Sequence, residues 1–367
     1  MGREKRGKFG VVSAVLAVAG AAALAIPASA RAASTAGTGG GAIIGRLVAV
    51  AGPAPVTVGY AARSAAAGGP LAICAKAEPK AENRKEQCTR QHLTFTVTRF
   101  SSDAPPVVIG TGEIEALHWD KLNPLRRTWT DGVQVTMTDM TGVVATAATT
   151  GDIILGCSEC DGSAPSSPFL FEEGVPIVHE FTVSSPGKAI AATVATPTLS
   201  VGNAKADNGP ASAELHATFA RCDSEDVFGG SPTSGCVNDL FKPTFEISLT
   251  GTAKEVAEHI KSAQDNPKKG HWGLEGHGKP LSRTTDPAQI KANREAACPS
   301  KLKPPKPGQS CDEYPFASTH EGAATNSEFS REWVDLAQNK LAGLQLATFY
   351  RKNRILNDDE FWVAVTG

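Results

Sequence analysis

Residues 244–265 read TFEISLTGTAKEVAEHIKSAQD, and the spacing of the apolar residues changes within this stretch. From residue 244 to 250 apolar and polar residues alternate, a pattern that predicts a half-buried strand. From residue 252 to 265 the apolar residues recur at helical spacing. Thr252 also precedes Glu255 by three residues, as in a capping box, so we expect a helix here. The stretch therefore marks a boundary near residue 250 between two regions of different fold class.

The residues before this boundary repeat the alternating pattern in short runs. Turn-forming Gly, Pro, Asn and Asp residues separate the runs, and helical periodicity is nearly absent. We therefore expect an all-β domain, a sandwich-like antiparallel fold, over residues 42–250. The predicted strands that precede residue 244 cover residues 93–98, 133–138, 177–183 and 214–220.

The residues after the boundary predict a small α+β domain over residues 251–367. Asp286 is followed by Pro, which is typical of a helix start, so a second helix is expected from there to about Ala297. A third helix is expected around residues 333–350, and a closing strand over residues 360–366. We see no internal repeat in either region.

Residues 1–30 have the organisation of a secretory signal peptide. Four basic residues occur among the first eight, an apolar run extends from residue 11 to 26, and Ala28-Ser29-Ala30 fits a cleavage site. An uncleaved membrane anchor is the alternative, but the apolar run is short and rich in Ala. Residues 31–41 are then a flexible leader. We expect a secreted, extracellular protein with no transmembrane segment after signal removal.

The eight cysteines predict structural disulfides, because an exported protein folds in an oxidising compartment. Pairing each cysteine with its nearest neighbour closes four local loops. A zinc site or a redox centre is the alternative for the C-x-x-C pair at Cys157 and Cys160, although the sequence offers no second ligand pair at motif spacing. The predicted pairs are Cys74–Cys88, Cys157–Cys160, Cys222–Cys236 and Cys298–Cys311.

The composition excludes a disulfide-scaffold peptide, a coiled coil and a polytopic membrane protein, since 41% of the 367 residues are hydrophobic and 36 basic side chains face 38 acidic ones. Positive charge is concentrated in residues 254–306, which hold eleven basic and six acidic residues. Such a surface suits a phosphate backbone, and we expect Arg294 and Lys291 to contact phosphate. An ordinary solvated basic face is the alternative.

Candidate chemistry lies in residues 311–322, which read CDEYPFASTHEG. Asp312 and Glu313 are adjacent, and His320 and Glu321 follow eight or nine residues later. Acidic residues and His at a rigid turn can hold a divalent cation and transfer protons. A solvated acidic loop is the alternative. The predicted Cys298–Cys311 bridge would pin the chain just before the two acids.

Residues 256–365 resemble the NucA/NucB-type deoxyribonucleases, which are small secreted bacterial endonucleases. The D-E-aromatic-P motif at residues 312–315 is the most specific element of the resemblance. The agreement is ordered along about 110 residues and covers under a third of the chain. The other matching pieces are EHIKSA at 258–263, GHGKPLSR at 276–283, NRE at 293–295, EG at 321–322, QN at 338–339 and DEFWV at 359–363.

The resemblance implies a relative of the ββα-metal nucleases that hydrolyses DNA without sequence preference and requires a divalent cation, Mg²⁺ or Mn²⁺. By position it makes Asp312 the general base, with Glu313 beside it, and Glu321 and Asn339 ligands of the metal. His259, His277 and His320 are possible supporting residues, and a structural role is favoured for His259 and His277.

Two departures from the family pattern leave questions open. Ala323 replaces the second Gly of Glu-Gly-Gly, which would strain the turn if that position needs a positive φ. His320 replaces a common acidic neighbour and puts the metal preference in doubt. Nothing in the family explains residues 42–250. Cell wall, a glycan or a dedicated inhibitor protein are the expected partners besides DNA, and the alternative function is an extracellular binding or adhesion protein whose nuclease-like module is degenerate.

Overall fold

The computed structural model describes residues 43–49, 69–101, 104–162, 168–206, 209–226 and 233–367. The predicted signal peptide and leader lie outside the described residues. All described residues belong to one compact unit. We refer to the described residues up to 238 as the β region and to residues 244–367 as the C-terminal region. None of the helices in the described ranges has the length and apolar character needed to cross a membrane.

Strands are the main elements of the β region. In chain order its elements are β1 (Ile43–Ala49), β2 (Lys80–Glu82), β3 (Glu86–Ser101), β4 (Ala104–Lys121), β5 (Thr128–Thr138), α1 (Gly142–Thr146), β6 (Thr149–Ser158), β7 (Asp161–Gly162), β8 (Phe169–Leu170), β9 (Ile177–Ser184), β10 (Ala191–Asn203), β11 (Ala211–Glu214), β12 (Thr218–Asp223) and β13 (Gly235–Val237), with a short 3₁₀ helix at Ala72–Lys76.

Two antiparallel sheets form the β region. The first has the order β1-β3-β4-β5-β9-β7 with β2 on β3, and the second has the order β13-β12-β10-β6-β8 with β11 on β10. Along β3, Leu93, Phe95 and Val97 are buried while the residues between them are partly exposed. They share one hydrophobic core with Ile153 and Leu199 of the second sheet. The prediction of an antiparallel β region is therefore confirmed.

The C-terminal region contains both helices and strands. In chain order these are β14 (Thr244–Ser248), α2 (Lys254–Asp265), β15 (Leu281–Ser282), α3 (Pro287–Ala297), β16 (Gln309–Tyr314), β17 (Ser330–Asp335), α4 (Leu336–Lys352) and β18 (Glu360–Thr366), with a 3₁₀ turn at Pro267–Lys269. Strands β14 and β15 flank β18, and β16 pairs with β17 in a separate antiparallel hairpin.

The strand at residues 244–250 belongs to a different sheet from the one predicted. We assigned it to the β-rich domain, but β14 pairs in parallel with β18 at the other end of the region. Phe245 and Ile247 are buried in the C-terminal core beside Val256 and Phe361. The reason is that alternation identifies a half-buried strand without identifying its partner strand.

Three predicted element boundaries are also corrected. Helix α2 begins at Lys254, and no side chain caps it, so the capping box is wrong. The segment predicted as a strand over residues 214–220 is divided between β11 and β12, and the start of the helix predicted over residues 333–350 is strand β17. Helix α3 does begin after Asp286, whose carboxylate accepts a hydrogen bond from the Ala288 amide as expected.

All four predicted disulfides are present. Cys157 and Cys160 therefore form a disulfide and are not ligands of a metal. The Cys298–Cys311 bridge joins the end of α3 to β16. It lies immediately before Asp312, where the sequence placed it.

Candidate active site

The candidate site is built on the hairpin of β16 and β17 and on the helix α4 that follows it directly. In the hairpin, Asp312 lies opposite Glu332 and Glu313 lies opposite Arg331. Because successive side chains of a strand point to opposite faces, Asp312 and Glu313 are presented to different surroundings. Tyr314, two residues after Asp312, is buried in the C-terminal core, so Asp312 shares the inward face.

Helix α2 supplies the partner of Asp312. The Nδ1 atom of His259 lies 2.6 Å from Oδ2 of Asp312, and its Nε2 atom lies 3.0 Å from Oγ of Ser330. The His259 ring is buried with 1% exposure, and Asp312 is 9% exposed. With both ring nitrogens engaged, the imidazole cannot rotate freely, and an Nδ1–H donor holds the Asp312 carboxylate in one orientation.

Glu313 has the most perturbed carboxyl group of the site. Burial raises its pKa to about 7, and the neighbouring negative charge of Asp312 acts in the same direction. Arg294 on α3 and His259 offset part of this rise. Arg294 is itself solvent-exposed. A half-buried carboxyl group that exchanges its proton near neutral pH is suited to acid–base chemistry.

Asn339 lies in the first turn of α4, next to the strand that carries the acids. Its Nδ2 atom donates to Oγ of Ser310 at 3.0 Å and to the carbonyl of Cys311 at 3.2 Å. The start of α4 is tied to α2, because the side-chain carbonyl of Gln338 accepts from the Glu255 amide at 2.8 Å. These bonds place the amide of Asn339 beside the residue that precedes Asp312.

Glu321 lies in the loop between β16 and β17 and is held by Ser282 of β15. The Ser282 amide donates to Oε2 of Glu321 at 2.9 Å, and the Ser282 hydroxyl donates to Oε1 at 2.5 Å. Each carboxylate oxygen therefore keeps a second lone pair for another ligand. We did not single out Ser282 from the sequence. Its position in the GHGKPLSR motif was the available signal.

Buried Asn293 of α3 organises the same loop. Its Nδ2 atom donates to the carbonyls of Ala317 and Thr319, and its Oδ1 atom accepts from the Ala324 amide. A Cβ atom added at Gly322 would lie 2.3 Å from the Asn293 side chain, which explains the glycine. Asn293 is thus a loop-positioning residue that the sequence showed only as part of a motif.

The remaining predicted residues are more peripheral. His277 is exposed, Nε2 of His320 lies 2.8 Å from Oδ1 of Asp358, and exposed Lys291 forms an i,i+4 pair with Glu295. Ala323 is not among the described residues with positive φ, so the replacement of Gly there introduces no backbone strain.

The oxygen donors of Glu321 and Asn339 are of the type that a hard divalent cation prefers. Within residues 233–367 and the other described ranges, no three His, Cys, Asp or Glu side chains are grouped to hold a metal. Ser282 of β15 holds Glu321, whereas Ser310 and Cys311 of β16 hold Asn339. Oxygen donors that are not grouped suit a cation such as Mg²⁺, which keeps several waters and takes few protein ligands.

The family model Deoxyribonuclease NucA/NucB matches residues 273–364. The C-terminal region is accordingly a NucA/NucB-type deoxyribonuclease domain, as the sequence indicated. The match begins after α2, so His259 lies outside it. Searches among curated proteins and among solved structures give no match.

Proposed function

We propose that the protein is a secreted endonuclease that hydrolyses DNA phosphodiester bonds with the help of a divalent cation and without strong sequence preference. The observation that carries this proposal is the buried contact between His259 and Asp312 within a domain of a deoxyribonuclease family. The succession of strand, strand and helix formed by β16, β17 and α4 supports a relation to the ββα-metal nucleases.

Asp312 is the proposed general base. Its carboxylate is oriented by the ring of His259, so that a water molecule on the free side of the carboxylate can be deprotonated as it attacks phosphorus in line with the leaving 3′ oxygen. Ser330 holds the other side of the ring and opposes its rotation. Glu313 adds a carboxyl group whose charge changes near neutral pH.

Glu321 and Asn339 are the proposed ligands of the cation. When bound, Mg²⁺ or Mn²⁺ would supply positive charge to the phosphate oxygens and to the leaving oxygen. Ser282 orients the carboxylate of Glu321, and the bonds of Asn339 to Ser310 and Cys311 orient its amide. Outer contacts of this kind commonly tune metal affinity.

The exposed basic side chains of α3 are the proposed DNA-binding surface. Arg294 lies close enough to Glu313 to lower the pKa of that carboxyl, which places a positive charge at the edge of the acidic site. Lys291 lies one turn earlier on the same helix. A phosphate backbone held by these groups would bind in a salt-dependent way with little base discrimination.

Secretion is part of the proposal, and four disulfides support it because such bonds persist in oxidising compartments. The alternative of a binding protein with a degenerate nuclease module loses one of its reasons, since Ala323 has an unstrained φ.

The decisive experiment is nicking of supercoiled plasmid by the mature chain in Mg²⁺ and in Mn²⁺. We expect EDTA to abolish nicking and Asp312→Asn to lower kcat about 10²–10⁴-fold, the usual contribution of a general base. Glu332→Gln is the matched control, because Glu332 is an exposed acid directly opposite Asp312 in the hairpin. Full activity of the chelated enzyme or of Asp312→Asn would overturn the proposal.

A further inference from the structure

The two regions of the molecule are joined by buried ion pairs. Arg354 follows α4 in the C-terminal region, yet its side chain is 1% exposed and is bound by the β region. Its Nε atom lies 3.0 Å and 2.9 Å from the carboxylate oxygens of Asp223, which is fully buried at the end of β12. The guanidinium also donates to the carbonyl of Pro124 at 3.3 Å. A nuclease side chain thus fills a polar site of the β region.

In a second set of ion pairs, the β region provides the arginines and the C-terminal region provides the aspartate. Arg84 and Arg221 of the β region each lie 2.5 Å from a different carboxylate oxygen of Asp359. Both arginines also donate to the carbonyl of Arg354, at 3.1 Å and 2.9 Å. Three buried arginines thus pair with two aspartates, Asp223 and Asp359, and exposed Asp239 adds a weaker attraction for Arg84 and Arg221. These opposite charges offset part of the cost of burying the arginines.

The segment held in this way has an unusual backbone. Arg354 and Asp358 have φ values of 45° and 66°, in the left-handed region that is uncommon for residues other than Gly and is adopted by Asp more readily than by Arg. Such conformations persist where surrounding contacts over-determine them. Here the contacts include the β-region arginines, whose donors bind carbonyls of residues 353 and 354 as well as the Asp359 carboxylate. The β region therefore shapes residues 353–359.

Backbone hydrogen bonds connect these residues to the segment that holds the proposed metal ligand Glu321. The Arg283 amide donates to the carbonyl of Asp359 at 3.0 Å, and the Asp358 amide donates to the carbonyl of Arg283 at 2.8 Å. On the other side of this strand, the His320 amide donates to the carbonyl of Ser282 at 2.9 Å. Ser282 also holds both carboxylate oxygens of Glu321. Residues 358–361, 281–284 and 318–321 thus form one ladder, with Glu321 at its far edge.

We propose that the β region is a positioning element of the nuclease site and that Arg84, Arg221 and Asp223 act through this ladder on Glu321. The proposal rests on the proposed function for the role of Glu321. The β region then serves the nuclease itself, in addition to any partner that it binds. Arg84 and Arg221 are positioning residues, since their contacts in the C-terminal region are to residues 353, 354 and 359 and not to the acidic side chains of the site.

The test uses the full mature chain with Arg221→Met, which removes the contacts of Arg221 to Asp359, to Asp223 and to the carbonyl of Arg354. Amide hydrogen exchange is followed in residues 281–284, 318–321 and 353–360, and the Mg²⁺ concentration that gives half-maximal nicking is measured. We expect exchange in these three segments to rise about tenfold, and the Mg²⁺ requirement to rise about 10-fold with an unchanged KM for DNA, as for a lost outer contact of a ligand.

Arg90→Met is the matched control. Arg90 forms a partly buried ion pair with Glu115 inside the β region and donates to the carbonyls of Ala77 and Cys74. This variant should lower the melting temperature without raising exchange in residues 281–284 or the Mg²⁺ requirement. Arg221→Lys, which keeps the charge but not the two-pronged geometry, should give intermediate values and serves in place of Arg221→Met if that variant does not fold.

Unchanged exchange in residues 281–284 and 318–321 of both Arg221 variants would overturn the inference, as would equal changes in Arg90→Met. The exchange measurement needs no catalytic activity. If the wild-type chain fails to nick DNA, the proposed function falls while the exchange data still decide whether the β region holds the ladder.

Discussion

Each region of the molecule contains a buried His–Asp pair. In the β region, Nε2 of His118 lies 3.0 Å from Oδ2 of Asp131, and in the nuclease domain Nδ1 of His259 lies 2.6 Å from Oδ2 of Asp312. Both rings are 1% exposed, and the second nitrogen of each is also engaged, by the His216 carbonyl in one pair and by Ser330 in the other.

The pairs differ in the carboxylate. Asp131 is fully buried, and its side chain lies among other polar groups between the two sheets, directly opposite Asp120 in the β4–β5 ladder. Asp312 keeps 12% of its side chain exposed and lies beside Glu313, whose charge Arg294 influences from an exposed helix. A buried His–Asp contact by itself is therefore not evidence of catalysis, and the one at Asp312 gains its weight from the deoxyribonuclease-family domain that contains Asp312. Access to the carboxylate and the charge of its neighbours separate the two.

The β-region pair is expected to contribute to stability alone. Asp131→Ala leaves His118 buried without its partner, and breaking a buried ion pair by removing one member costs about 3–5 kcal/mol. Burial lowers the pKa of His118, but the charge of Asp131 and the hydrogen bond to it outweigh burial, so the net pKa of His118 is raised. The free energy of unfolding from denaturant titration at pH 6 measures the loss.

The matched variant is Asp312→Asn. Its free energy of unfolding should lie within about 1 kcal/mol of that of the wild type, because the amide can still contact His259. Nicking per folded molecule should stay normal in Asp131→Ala and be nearly absent in Asp312→Asn. If Asp131→Ala were stable but inactive, the division between a structural and a catalytic pair would be wrong.

Features that depend on local spacing could be predicted from the sequence. Helix α3 with its Asp286 cap, the closing strand β18 and the four disulfides all rest on residues that are neighbours in the chain. The acids at 312 and 313 are proposed as site residues on the same kind of pattern, because their motif is continuous. Short-range patterns encode elements, loops and motif residues well.

Features that depend on distant contacts could not be predicted. The parallel pairing of β14 with β18 joins residues more than a hundred positions apart in the sequence. The contact of Arg354 with Asp223 has a similar sequence separation. His259 was proposed as a supporting residue, but its contact with Asp312 spans 53 positions and no local pattern indicates it. Charged residues such as Arg84 resemble solvated surface groups until the fold buries them.

The activity is expected to depend on which nitrogen of His259 a substituting amide can imitate. His259→Asn can keep a donor near the position of Nδ1 and contact Asp312, whereas His259→Gln favours the position of Nε2 and Ser330. We expect kcat to fall about tenfold in His259→Gln and less in His259→Asn, with an unchanged KM in steady-state nicking assays.

The same two substitutions at His118 provide the comparison in the β region. They should lower the melting temperature and leave kcat unchanged, because His118 contacts Asp131 and the His216 carbonyl. Equal loss of kcat in both histidine variants at position 259 would show that the ring contributes by packing and not by holding the Asp312 carboxylate.

The smallest expected effects are on the pH dependence of stability and activity, which should differ between Asp120 in the β region and Glu313 in the nuclease domain. Burial, reinforced by Asp131, raises the pKa of Asp120 to about 8 against opposing contributions from His118, Thr218 and Gln87. The folded protein therefore keeps a proton that the unfolded chain has lost above its ordinary pKa, and stability falls as pH rises from about 4 to about 8. In Asp120→Asn the decrease in melting temperature between pH 5 and pH 8 should be smaller by about 4 °C.

The raised pKa of Glu313 also makes stability fall as pH rises, here from the ordinary pKa of Glu to about 7. Unlike that of Asp120, the ionisation of Glu313 should also change the activity. Nicking should rise with pH through about 7 in the wild type and in Asp120→Asn, since only the ionised Glu313 carboxylate, next to the general base Asp312, can take up a proton released in the reaction. Glu313→Gln should lose this rise. A pH–rate profile that Asp120→Asn shifts and Glu313→Gln leaves intact would reverse the assignment, because the titrating group that controls activity would then belong to the β region.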